Sequence, residues 1–233
     1  LNSLNSFSMG FLITSNLSME IYLGTKVIIK QRIRYFFVLL RRKLNNFTRM
    51  EKLFLLDAYA LIYRAYYAFI KNPRINSKGF NTSAIMGFVN TLEDVLKKEN
   101  PTHIGIAFDP TGPTFRHEAF EQYKAQREET PEAIRLSVPI IKDIIRAYRI
   151  PILEVSGYEA DDVIGTLATE AGKRGITTYM MTPDKDYGQL VSENVFMYRP
   201  KYGDKEFEVM GVNEIKAKFD IDSPSQVIDM LGL

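Results

Sequence analysis

The chain has 233 residues, 45% of them hydrophobic, and neither cysteine nor tryptophan. That length supports one substantial core, or a domain with an appendage. The missing cysteine excludes a disulfide framework and thiolate chemistry, leaving oxygen donors or His103 and His117 for any metal. The formal net charge of +2 hides an asymmetry: residues 1–49 carry eight Lys or Arg against Glu20 alone, and the remaining 184 residues sum to −5. An acidic body of this kind binds nucleic acid only through local basic patches.

Residues 1–49 read unlike the rest. Their most apolar run, Tyr35-Phe36-Phe37-Val38-Leu39-Leu40, is too short to span a membrane, and Lys26, Lys30, Arg32 and Arg34 interrupt the window before it. No basic residue precedes Phe11-Leu12-Ile13, which argues against a secretory signal. The expectation is a poorly ordered or misassigned leader with Met50 as the natural start; a basic membrane-surface helix is the alternative.

From Met50 the pattern sharpens. The apolar run Leu53-Phe54-Leu55-Leu56 ends in Asp57, and a helix is expected from Ala58 towards Ile70 before a loop marked by Pro73 and Gly79. Thr82 or Ser83 can cap a helix running to about Glu99. His103-Ile104-Gly105-Ile106-Ala107-Phe108 is a second run, ending in Asp109. Residues 110–131 form a polar segment bounded by prolines, and a helix near 132–149 leads to Pro151-Ile152-Leu153-Glu154-Val155. Ser156 and Glu159 have capping-box spacing, so the next helix is expected to start there and run to about Lys173. Residues 177–182 are a further apolar run with Asp184 and Asp186 just beyond it. Two short strands, 194–198 and 206–210, and two modest helices close the chain.

Strands alternating with helices of this length define an α/β fold, a mostly parallel central sheet flanked by helices. Ligands of such sheets bind beyond the carboxyl ends of the strands. Three strands deliver Asp57, Asp109 and the pair Asp184 and Asp186 at those ends, and Glu159, Asp161 and Asp162 open the helix beyond a fourth. Two unit charges 4 Å apart repel by about 4 kcal/mol at an effective dielectric near 20. Seven converging carboxylates therefore imply a cation, and oxygen donors without cysteine point to Mg²⁺ or Mn²⁺. Seven ligands exceed one Mg²⁺ and suit two ions, the arrangement that serves in-line displacement at phosphorus.

A substrate signal lies in residues 114–128. On a continuous helix, Arg116, Phe120, Tyr123, Lys124 and Arg127 share a face, a basic surface interleaved with aromatics that suits a phosphate backbone with unpaired bases. Arg64, Arg74 and Lys78 are further candidate phosphate contacts. No P-loop or dinucleotide fingerprint is present. An aspartyl phosphatase would want an acid two residues after Asp57, where Tyr59 stands. His103 and His117 read as structural or exposed, and Tyr63, Tyr66 and Tyr67 as core or groove wall.

The motifs Phe54-Leu55-Leu56-Asp57, Tyr63-Arg64-Ala65, Ala107-Phe108-Asp109, Phe115-Arg116-His117-Glu118, Tyr123-Lys124-Ala125-Gln126-Arg127, Gly157-Tyr158-Glu159-Ala160-Asp161-Asp162 and Thr182-Pro183-Asp184-Lys185-Asp186 occur in that order. Residues 50–233 closely resemble the flap endonuclease family, in the form of the 5′-nuclease domain that opens bacterial DNA polymerase I. The resemblance implies a PIN-like fold with a helical arch, and a 5′→3′ exonuclease and 5′-flap endonuclease. It implies two Mg²⁺ or Mn²⁺ ions on the seven acids, and places Lys124 and Arg127 near the scissile phosphate with Tyr123 beside them. The implied substrates are 5′-flap, nicked or gapped DNA and RNA-primer–DNA. The implied setting is a cytoplasmic, monomeric domain followed by polymerase regions. The family continues with a Gly-Asp-x-x-Asp motif and a helical hairpin that this chain does not reach, so an incomplete second metal site and weak duplex binding are expected. The competing readings are a nucleic-acid-binding piece without catalysis and a small metal-dependent ribonuclease.

Overall fold

Four apolar residues in a row cannot alternate between core and solvent, so Leu53, Phe54, Leu55 and Leu56 require cover on both faces. They become the middle of β1 (Lys52–Asp57), each no more than 1% exposed. The computed structural model describes residues 50–120, 122–126, 128–200 and 207–232; the expected leader lies outside the described residues, as does Arg127. No helix among the described residues is long and apolar enough to cross a membrane.

The sheet has six strands in the order β3-β2-β1-β4-β5-β6. The others are β2 (His103–Ala107), β3 (Ile152–Leu153), β4 (Thr177–Met181), β5 (Val195–Pro200) and β6 (Phe207–Met210). All pairs are parallel except β5 with β6. Helices α1 (Ala58–Ala68), α2 (Ser83–Asp94) and α4 (Glu132–Ala147) pack together over one face. Phe54 and Leu56 join the core there with Ile62, Phe88, Leu92, Ile141 and Ile145. Helix α5 (Ala160–Lys173) packs on β1 and β4 through the other core, burying Ile164, Leu167 and Ala168. Each such Leu, Ile or Phe contributes about 1.5–3 kcal/mol on burial. Two short helices, α6 (Val212–Phe219) and α7 (Val227–Gly232), follow β6.

Several boundaries differ from the sequence reading. Helix α1 stops two residues before Ile70. Helix α2 continues as a π-helical stretch, Val95–Glu99, and Asn100 ends it in the left-handed region at φ 45°. Strand β3 is two residues long, at the sheet edge, where it pairs only with the end of β2. The largest departure is in residues 114–128. Among the described residues of this segment only Phe115–Ala119 is helical (α3); Phe120 is extended, 122–126 are turns, and Lys124 sits at φ 58°. The single continuous face expected for Arg116, Phe120, Tyr123 and Lys124 is therefore not formed.

Candidate metal centre and nucleic-acid interface

Parallel register places the acids. Asp57 is opposite Ala107, two residues before Asp109, and Leu56 is opposite Met181, three before Asp184. The three strand ends thus deliver their carboxylates to one edge of the sheet. Asp57 is also the N-cap of α1, its Oδ1 accepting from the Ala60 amide at 3.1 Å, while Oδ2 accepts from the Thr182 hydroxyl at 3.3 Å. Asp109 Oδ1 accepts from the Ala160 amide at 2.7 Å, which joins the end of β2 to the start of α5. Asp184 Oδ1 accepts from the Asp186 amide at 3.0 Å, and the Asp184 amide donates to Thr182 Oγ1 at 3.2 Å.

The first turn of α5 supplies the rest. Its N-cap is Glu159, not the expected Ser156: the Glu159 amide donates to Asp162 Oδ2 at 3.1 Å, which makes Asp162 the reciprocal acid three residues on. Gly157 at φ +82° lets the chain turn into that cap. Glu159 is only 5% exposed, and a charge so buried needs a partner. It accepts from Lys124 Nζ at 2.7 Å and from the Tyr123 hydroxyl at 3.1 Å. Asp162 accepts two parallel hydrogen bonds from the Arg116 guanidinium, at 2.7 and 2.9 Å. The segment carrying these donors is rooted beside the acids, the Phe115 amide donating to the Gly157 carbonyl at 3.0 Å and the Phe115 ring lying 5.6 Å from that of Tyr158.

The electrostatics follow the same division. Burial, assisted by the charges of Asp109 and Asp184, pushes the Asp57 carboxyl up to about 6 against the lowering effect of its hydrogen bonds to Ala60 and Thr182. Asp161 is raised by burial and then by Asp162, and Asp186 by burial and then by Asp184. Arg116 is held above its ordinary range by its hydrogen bonds to Asp162. Asp161, Asp162, Asp184 and Asp186 share a cavity of about 460 Å³ with Arg116 and Tyr187. As the side chains stand, no three His, Cys, Asp or Glu among the described residues form a set that could hold a metal ion. Convergence on one edge is thus observed and a closed shell is not. The cause is local: Asp162 and Glu159 are held by cations of the 114–126 segment, and Asp57 and Asp109 by helix amides.

The other candidates fall into two groups. Arg116, Tyr123 and Lys124 touch the acids, and Phe120 stands 59% exposed beside them. Arg64 is half-buried with its guanidinium 5.7 Å from the Phe207 ring, which burial and packing explain without a ligand. Lys78 is exposed in the loop between α1 and α2, where Asn76 Oδ1 accepts from its amide at 2.9 Å. Arg74 lies over Phe69 in the same loop. His117 is structural, its Nδ1 bonded to Thr114. Two residues escaped the sequence reading. Thr182 bridges Asp57 to Asp184, a role that a hydroxyl two residues before a strand-end acid could have signalled. Tyr187 looks like one more core aromatic in sequence.

An edge of a parallel α/β sheet that gathers carboxylates stands here beside a segment that presents cations and aromatics, the pairing of groups that suits a divalent cation and a phosphate backbone. The chain belongs to the 5′-3′ exonuclease family, matching the model of its N-terminal resolvase-like domain over residues 52–220. It is 39% identical over 184 residues to DNA polymerase I of Bacillus caldotenax, covering 78% of this chain and 20% of that protein. It is 38% identical over 184 residues to a 5′-3′ exonuclease of Aquifex aeolicus, covering 79% of this chain and 61% of that protein. The chain therefore spans a fifth of the first relative's length and less than two thirds of the second's. Among solved structures, the fold is shared with bacteriophage T5 5′-exonuclease bound to zinc (TM-score 0.56, 17% identity, 76% of this chain and 64% of that one). It is likewise shared with the T5 flap endonuclease in a pseudo-enzyme-product complex with DNA and metal ions (TM-score 0.56, 18% identity, 76% of this chain and 64% of that one).

Proposed function

We propose that this chain is a divalent-metal-dependent 5′ nuclease. It hydrolyses phosphodiesters at the 5′ ends of DNA flaps, nicks or gaps and of RNA primers, as the nuclease part of a cytoplasmic DNA polymerase I or a similar enzyme. The observation that carries this reading is the contact between Arg116 and Lys124 on one side and Asp162 and Glu159 on the other. It sets phosphate-binding cations directly against acids that suit a dication.

The donor set fits Mg²⁺ or Mn²⁺. All seven acids offer hard oxygens, cysteine is absent, and burial, with the charges of Asp109 and Asp184 added, disfavours the ionised Asp57 in a way a dication would relieve. Asp57, Asp109, Glu159, Asp161, Asp162, Asp184 and Asp186 would hold the ions. Bound there, a divalent ion supplies Lewis-acid charge to the phosphate and to the attacking water. The protein's own part is positioning. Arg116 and Lys124 exchange their carboxylate partners for phosphate oxygens, Tyr123 and Phe120 offer faces on which an unpaired 5′ base can stack, and Thr182 fixes Asp57 relative to Asp184. Water then attacks phosphorus, and the bond to the leaving oxygen breaks.

A 5′-labelled flap incubated with Mg²⁺, with the parent chain and with Asp57→Ala, tests the reading. Cleavage by the parent that is lost in the variant is expected. Binding without cleavage in both would leave a nucleic-acid-binding module, and cleavage of RNA in preference to flapped DNA would favour a small ribonuclease.

A further inference from the structure

Two buried polar side-chain atoms among the described residues lack a hydrogen-bond partner, Arg199 Nε, which is ion-paired with Glu208, and the hydroxyl of Tyr187, to which the nuclease reading gives no task. The residue lies in the 3-10 turn Lys185–Leu190 and is 3% exposed, yet its hydroxyl has no hydrogen-bond partner among the described residues. An unmade hydrogen bond on a buried group is costly, and Phe would fill the same space without it. The turn is closely covered: a Cβ added at the neighbouring Gly188 would meet Ile215 Cδ1 at 3.3 Å and Val227 Cγ2 at 3.4 Å. Tyr187 also lines the cavity shared with Asp161, Asp162, Asp184 and Asp186. Burial is the main influence that holds the proton on its phenol, and the charges of Asp57, Asp161, Asp184 and Asp109 add to it. Ionised carboxylates only accept hydrogen bonds, so a phenol O–H that shares a cavity with them can serve as a donor.

We propose that Tyr187 is a positioning residue of the metal centre. Its O–H donates to a carboxylate oxygen of the Asp57, Asp161 and Asp184 group when a divalent ion draws those side chains together, fixing the ligand's orientation. The carboxylates are at present engaged elsewhere: Asp57 with Ala60 and Thr182, Asp161 with the Asp162 amide, Asp184 with the Asp186 amide. The donor waits for the rearrangement that ion binding brings about. Ligating carboxylates are generally hydrogen-bonded in turn, and losing such a partner typically lowers metal affinity about 10–100-fold. The inference rests on the metal-dependent nuclease reading and adds to it a residue outside the seven acids.

The test is calorimetric titration of the metal-free chain with Mn²⁺, in parent, Tyr187→Phe and Asp57→Ala forms, alongside the metal-free Tm of each. Phe keeps the ring and its packing. Tyr187→Phe is expected to bind Mn²⁺ at least about tenfold more weakly than the parent. Its metal-free Tm should be equal to the parent's or higher, because the orphaned hydroxyl is gone. In flap cleavage, the Mn²⁺ concentration for half-maximal rate should rise by the same factor with the KM for DNA unchanged. Parent-like Mn²⁺ affinity in Tyr187→Phe would overturn the assignment while leaving the nuclease reading intact. A metal-free Tm that falls together with affinity would also overturn it, by showing a packing role. A parent chain that takes up no Mn²⁺ would overturn both.

Discussion

The carboxylate floor and the segment spanning 114–126 meet at the same place but are built differently. Asp57, Asp109 and Asp184 are set by strand register and tied to backbone amides, so the sheet itself determines where they stand. The 114–126 segment has one five-residue helix, then turns and a left-handed lysine, and what holds it down is largely charge: Arg116 to Asp162 and Lys124 to Glu159. A floor fixed by the fold can be kept ready for cations. A segment fixed by those same charges is released whenever a stronger cation, or a phosphate, competes. The difference suggests an exchange, in which divalent ions take over the acids and the freed Arg116 and Lys124 become available to the DNA backbone.

The comparison breaks most sharply at Asp57. Removing this carboxylate in Asp57→Ala should lower Mg²⁺-dependent flap cleavage by at least about a hundredfold, the scale on which one catalytic electrostatic contact is felt. Single-turnover cleavage with saturating enzyme measures it, and a loss under tenfold would remove Asp57 from the centre. Stability should move the other way. The folded-state carboxyl titrates near 6 against an ordinary 3.8, so the native state holds this proton more tightly than the unfolded chain does. The group's contribution to stability is therefore full below about 3.8 and is lost as pH rises through 6. That shift corresponds to roughly 2–3 kcal/mol. Asp57→Asn keeps the acceptor for Ala60 and sheds the charge. It should melt above the metal-free parent at pH 8, with the gap closing by about pH 3.5. Adding Mn²⁺ should raise the parent's Tm and leave the variant's almost unmoved. A parent more stable than Asp57→Asn at pH 8 without metal would show that the buried Asp57 charge carries no penalty.

Arg116→Met keeps the apolar stem and removes two charge-assisted hydrogen bonds, each of a kind worth about 1.5–3 kcal/mol with a charged partner. Because the pair is local, the metal-free Tm should shift by only a few degrees, whereas limited proteolysis within 114–128 should speed up severalfold. Mn²⁺ affinity should rise, since a competing cation is gone, and cleavage should fall. If Mn²⁺ binds the variant more weakly than the parent, Arg116 supports the ligands and does not compete with ions.

How far the sequence anticipated this division follows from the kind of order each part has. Buried runs such as Leu53–Leu56 and Ile104–Phe108 announce strands, and an Asp at the end of each run is positioned by the same parallel register that pairs them. Those acids were therefore readable. The start of α5 was misjudged by three residues because Ser156 and Glu159 satisfy the cap spacing as well as Glu159 and Asp162 do, and only the observed bond between the Glu159 amide and Asp162 decides between them. The shared face of Arg116, Phe120, Tyr123 and Lys124 is conditional on a helix over 114–128, and periodicity presumes a continuity that these residues lack. Contacts to acids 35 and 46 positions away, from Lys124 and Arg116, bend the chain instead, and no local pattern encodes them. Tyr187 is hidden for a related reason: nothing in one sequence separates an aromatic packed in a core from one that lines a cavity with its hydroxyl left without a partner.

The smallest expected effect separates the two regions most cleanly. Phe120 is 59% exposed and follows the last turn of α3, so Phe120→Ala removes little buried area and leaves every floor contact in place. Its metal-free Tm and Mn²⁺ affinity should match the parent's. If the ring stacks on an unpaired base, the variant should bind a 5′-flap substrate more weakly by about 1 kcal/mol, the lower end of what base–aromatic stacking contributes. The loss should vanish on a blunt duplex that offers no unpaired base. Fluorescence anisotropy with both substrates, in Ca²⁺ to prevent turnover, measures the difference. Equal losses on flap and duplex would assign Phe120 to general backbone binding, and a fall in metal-free Tm would mean that the 114–126 segment contributes to the fold, contrary to the division drawn here.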